Sequence, residues 1–86
     1  MLFYHGTSEE NYSKIMEEGV LFGVRYIGDR CTYLTDDIRE AKCYGTVILE
    51  VEYDPFEHKE MNNYDKNSWQ MRAYEPIGVD KIRRIE

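Results

Sequence analysis

The chain has 86 residues, with 11 Lys and Arg against 17 Asp and Glu, for a formal net charge of -6. That length holds one hydrophobic core and no second one, so residues 1–86 are expected to be a single domain. The 42% apolar and 14% aromatic content excludes a disordered chain, and the acidic balance excludes non-specific nucleic-acid binding, which rests on neutralising phosphates.

Residues 2–5 read as a short apolar strand, and "TSEEN" as the start of a helix. Thr7 or Ser8 can cap it, with Glu9 and Glu10 in the first turn where the helix dipole favours negative charge. Tyr12, Ile15 and Met16 give the helix, residues 8–18, an apolar face, and Gly19 stops it. Residues 20–30 read as an irregular loop with one short strand around 24–27. "CTYLT" is a strand. "DDIREAKCYG" is a short helix capped by Asp36 or Asp37, with Ile38, Ala41 and Tyr44 facing inward and Gly45 ending it. "TVILEVEYD" is the strongest strand pattern, β-branched and then alternating, and Pro55 closes it. Residues 56–67 are polar, turn-rich and expected to be a mobile loop. "SWQMRAYEPI" reads as a strand and "DKIRRIE" as a last one. The pattern predicts an α+β domain with a split β-sheet core and two short helices.

Cys31 and Cys43 form no CxxC pair, and two cysteines with two scattered histidines do not make a zinc site. No secretory signal and no spanning apolar run are visible. The expected setting is the cytoplasm, with reduced thiols and no membrane partner.

Three stretches carry candidate chemistry. In "YHGTS", His5 ends a strand beside Gly6, which lets a ligand approach the backbone, and Thr7, which offers a hydroxyl. A lone histidine there is more often structural than catalytic. In "TYLTDDIREAKCYG", a strand–helix unit can bring the rings of Tyr33 and Tyr44 to one cleft as a slot for a flat ring. With eight tyrosines in the chain, two core tyrosines are the plainer alternative. "WQMRAYEPIGVDKI" is a strand, a turn at 75–78 and a terminal strand.

In this order the three stretches resemble the ADP-ribosyltransferase family, and within it the His-Tyr-Glu branch that includes the poly(ADP-ribose) polymerases and related toxins. That branch begins with a strand ending in His-Gly-Ser/Thr and a helix ending in glycine. It continues with a Tyr-Phe/Leu segment, a helix ending in a second tyrosine, a hydrophobic strand, and a Glu-containing strand that runs into an Asp/Glu-Pro turn. The resemblance covers nearly the whole chain. It implies that NAD is the substrate. His5 would hydrogen-bond the adenosine-side ribose, the Gly6 backbone would bind the nicotinamide amide, and Thr7 or Ser8 would support the ribose hydroxyls. Tyr33 and Tyr44 would pack on the nicotinamide ring.

One position departs from the pattern. The family glutamate lies six residues before the proline of its turn, and counting back from Pro76 gives Gln70. A glutamine hydrogen-bonds a ribose hydroxyl but brings no negative charge and no general base. Alternation puts Glu75 on the opposite face of its strand; Glu50 and Glu52 share a face and are the other candidates. The 56–67 loop with "NNYDKNSW" occupies the place of an acceptor-recognising loop, with Tyr64 and Trp69 as its aromatic contacts and Trp69 equally readable as core.

The resemblance therefore implies an NAD-dependent mono-ADP-ribosyltransferase acting on a macromolecular acceptor, a protein or a nucleic acid, with protein favoured. Small transferases of this kind occur as toxins and phage-encoded effectors. Two alternatives stay open: a module that binds NAD, ADP-ribose or a protein without transfer, and an acidic inhibitor that mimics nucleic acid. An RNA 2′-phosphotransferase shares the implied fold. Its chemistry needs cations around a phosphate, for which Arg25, Arg30 and Arg72 are the candidates.

Overall fold

The computed structural model describes every residue except Val24, Ile27 and Gly28, and describes Arg25, Tyr26 and Asp29 by their backbone alone. Strand β1 (Leu2–Thr7) leads into helix α1 (Glu9–Glu18), which is followed by the short strands β2 (Val20–Leu21), β3 (Arg25–Tyr26) and β4 (Asp29–Arg30). Then come β5 (Thr32–Thr35), the one-turn helix α2 (Ile38–Ala41), β6 (Val47–Glu52), β7 (Gln70–Ala73), β8 (Ile77–Gly78) and β9 (Ile82–Arg84). Five strands form one sheet in the order β7-β5-β1-β6-β9, with every neighbouring pair antiparallel. The expected α+β class is what is found.

β6 earns its place by composition. Val47, Leu49 and Val51 are buried beneath α1, and Ile48 is buried on the other face. Cross-strand, Phe3 sits opposite Val51, while Leu34 sits opposite Met71. Ile15 of α1, Leu21 and Ile77 close the same core. Helix α1 starts where expected: the Ser8 hydroxyl accepts from the Asn11 N–H at 3.1 Å. It ends at Gly19, whose φ of 81° is the left-handed conformation that glycine alone adopts without cost.

Several expectations change. The stretch 20–23 supplies β2, which pairs with β8 across Val20–Gly78 and Leu21–Ile77. The strand expected at 24–27 includes Val24 and Ile27, which lie outside the described residues; between them, β3 pairs with β4. α2 is capped by Asp37, whose carboxylate accepts from the Arg39 N–H at 2.9 Å, and it tightens into a 3₁₀ turn over Lys42–Tyr44. Ala41 is buried, but Tyr44 is 58% exposed rather than inward-facing. The strand expected over 68–77 is two, β7 and β8, separated at Tyr74–Pro76, because proline cannot serve a ladder.

The 56–67 segment is stitched down rather than loose. The Asn62 side-chain amide donates to the Pro55 carbonyl at 3.1 Å and the His58 carbonyl at 2.7 Å. The Tyr64 ring packs edge-on between Phe3 and Phe56. Tyr64 is therefore a core contact. Trp69, by contrast, is 50% exposed.

Candidate functional site

The sheet is continuous except at one seam. Tyr53 N–H donates to the Met1 carbonyl at 3.0 Å, so the alternation of an antiparallel ladder turns the odd residues of β1 toward β6 and the even ones toward β5. On β5, Asp36 N–H donates to the Trp69 carbonyl at 3.1 Å, which turns the even residues toward β7 and the odd ones toward β1. Tyr4 and Thr35 form the one β1–β5 pair. The next would be Gly6 with Tyr33, and it is not made. The strands part there. The backbone N–H and C=O of Gly6 thus face an opening instead of a neighbouring strand.

His5 spans the opening. Its Nδ1 lies 2.8 Å from the Tyr33 carbonyl oxygen, the group that a regular ladder would give to Gly6. A carbonyl only accepts, so Nδ1 carries the proton and the neutral ring keeps Nε2 as an acceptor. Burial pushes the His5 pKa below the ordinary imidazole value of 6.5, opposed by the weaker effect of the Tyr33 bond. The folded state therefore favours the neutral ring. As pH falls through 6.5 the unfolded chain takes up its proton first, so stability held above that value is lost as pH drops through the folded-state pKa. His5→Asn keeps a donor for the Tyr33 carbonyl and removes the titration. The urea midpoint is expected to fall less between about pH 7 and pH 5 in this variant than in the parent protein. An equal fall in both would assign the acid sensitivity to other groups.

The opening belongs to a cleft of about 660 Å³. Its walls include His5, Gly6, Thr7, Tyr33, Tyr44 and Gln70, so six of the seven residues to which the resemblance gives a role toward NAD meet in one place. The seventh, Ser8, is not on the wall; its hydroxyl is used by the α1 cap. Gln70 stands on β7, where it pairs with Thr35, and its Nε2 lies 3.4 Å from the Tyr44 hydroxyl. Tyr33 is half-buried and Tyr44 exposed.

Gly6 has a second constraint. A methyl group on its Cα would overlap the Ala41 carbonyl oxygen of α2. The glycine thus serves the docking of α2 as well as the approach to its backbone. Gly45 is similar: a methyl there would overlap the Thr7 carbonyl oxygen.

The alternative carboxylates are elsewhere. Glu50 pairs with Arg83 at 3.2 Å, Glu52 with the N-terminal ammonium at 3.0 Å, and Glu75 lies 3.6 Å from His58 Nδ1. None of the three lines the cleft; among the described residues, Glu18 of α1 is the carboxylate that does. Asn11, Lys14, Phe22, Arg30 and Cys31 also line it. The resemblance gives none of these residues a role. The i, i+3, i+7 spacing of Asn11, Lys14 and Glu18 is the sequence signal that places them on one helix face. Among the described residues, no cluster of His, Cys, Asp and Glu fits a metal ion. No described helix is long and apolar enough to cross a membrane.

No family model, curated protein or solved structure matches this chain.

Proposed function

We propose that the cleft binds NAD and that the chain transfers a single ADP-ribose unit to a macromolecular acceptor, with protein favoured by the acidic surface. The carrying observation is the seam. Gly6 turns one donor and one acceptor into the opening, the complement of the C=O and one N–H that a primary carboxamide presents side by side. The Tyr33 and Tyr44 rings on the same wall suit a flat heterocycle. His5 Nε2 accepts from a ribose hydroxyl, and Thr7 lies beside it. Gln70 hydrogen-bonds a ribose hydroxyl near the reacting carbon, steadied by Tyr44.

In the reaction, the bond from ribose C1′ to the nicotinamide nitrogen breaks and nicotinamide leaves with the bonding electrons. The acceptor attacks C1′ and releases a proton. Positive charge builds on the sugar, as in glycoside hydrolysis. The chain's contribution is to hold ring and sugar in reacting geometry. Gln70 supplies orientation but no countercharge, which favours a second reading: a module that binds NAD without turnover.

Calorimetric titration with NAD, with nicotinamide assayed on the same sample, separates the two. Transfer predicts binding and slow nicotinamide release, both lost in His5→Ala. Binding without release supports the module. No binding at roughly millimolar NAD contradicts both.

A further inference from the structure

Two cations of this acidic chain stand on the cleft wall, and the resemblance gives neither a role. Lys14 projects from α1 between Asn11 and Glu18, on the face those residues share. Its ammonium lies 3.6 Å from Glu10, and both side chains are exposed, so the pair contributes little and is readily exchanged for a ligand. Arg30 ends β4. Its Nε donates to the Gly23 carbonyl at 3.0 Å, its Nη2 to the Phe22 carbonyl at 3.2 Å, and its guanidinium carbon lies 4.4 Å from the centre of the Phe22 ring. These contacts engage two of five N–H donors and fix the planar fork. The remaining donors are preorganised for an anion.

We propose that Lys14 and Arg30 form an anion subsite that holds the diphosphate of a nucleotide in the cleft. Among the described residues they are the two cations on its wall. The third charged group, Glu18, selects the ligand. A small free anion gains little beside a carboxylate. A nucleotide satisfies all three, with phosphates on the cations and vicinal sugar hydroxyls on Glu18, as carboxylates do in dinucleotide folds. The inference rests on the nicotinamide reading for the rest of the ligand, but the diphosphate contact stands or falls separately.

The test is calorimetry of the parent protein, Lys14→Gln and Arg30→Gln against three probes: NAD, ADP, and nicotinamide riboside, which has no phosphate. Each substitution is expected to weaken NAD and ADP about tenfold or more while leaving nicotinamide riboside unchanged. Lys14→Gln lies on an exposed helix face, so it reads binding rather than folding; Arg30→Gln is checked by its thermal melt. Variants that bind ADP as tightly as the parent overturn the subsite, even where nicotinamide riboside binding upholds the proposed function. ADP binding that depends on Lys14 and Arg30, with no binding of nicotinamide riboside, supports the subsite and contradicts the proposed function. ADP that fails to bind the parent protein also overturns the subsite.

Discussion

Gly6→Ala is expected to lower the melting temperature by about 10–20 °C, the equivalent of about 3 kcal/mol in a domain of this size. The added methyl meets the Ala41 carbonyl oxygen, a backbone atom that cannot rotate away. Ala41 is itself buried against β1, so relief requires α2 to lift from the sheet. A lifted α2 carries Tyr44 away from Gln70, and the cleft loses one wall. Against a total stability on the order of 5–10 kcal/mol, the loss is a large fraction. Gly19→Ala is the control. Its φ of 81° is strained for alanine, but nothing lies within 4 Å of the new methyl, so the cost is about 1 kcal/mol. Equal melting shifts in the two variants, read by calorimetric scan, would show that α2 docking does not depend on Gly6.

Gln70→Glu is expected to raise the rate of nicotinamide release by about 100-fold or more. The side chains are nearly equal in size, and the position is only half-buried, so the fold is kept. The substitution reverses one bond: the Gln70 amide nitrogen points to the Tyr44 hydroxyl, whereas a carboxylate accepts from it. Under the proposed function it also brings a negative charge to the place where the reacting sugar would become positive, and a base for the acceptor's proton. Stopped assays of free nicotinamide read the change. An unchanged rate, with NAD still bound, would mean that Gln70 does not face the reacting carbon.

Much of the fold is legible in the sequence where a local rule acts alone. Ser8, Ile15 with Tyr12, and Gly19 define that helix without help from the rest of the chain, while Met16, expected on the apolar face, is exposed. The β-branched run of β6 does the same for its strand. β2 and β8 are not legible, because two residues display no period; Leu21 and Ile77 are paired by the tertiary fold. Tyr44 shows the limit of helical spacing. The helix tightens to 3₁₀ after Ala41, and the change of pitch turns the ring outward. Trp69 is large and apolar in type, yet its carbonyl is what the fold uses, accepting from Asp36 N–H at 3.1 Å and Thr35 Oγ1 at 2.7 Å.

The gathering of His5, Gly6, Thr7, Tyr33, Tyr44 and Gln70 was legible as a set of motifs. The seam at which they meet was not. It depends on which way each ladder points and on where β1 and β5 part, and both are properties of three strands together. Lys14 escaped for a related reason: a charge on a helix reads as solvated until the facing wall is known, and Arg30 was visible only as one of three arginines that could meet a phosphate.

The central claim is that the unpaired backbone face of Gly6 receives a carboxamide. The most direct measurement is the Gly6 amide resonance in ¹⁵N-labelled protein, followed through titration with NAD and with its nicotinic acid analogue, whose carboxylate has no donor for the Gly6 carbonyl. NAD is expected to move the Gly6 amide at far lower concentration than the analogue, whose carboxylate accepts from the Gly6 N–H but is repelled by the Gly6 carbonyl. A Gly6 resonance that stays in place as NAD saturates the protein, or that moves over the same concentration range with both ligands, would contradict the claim.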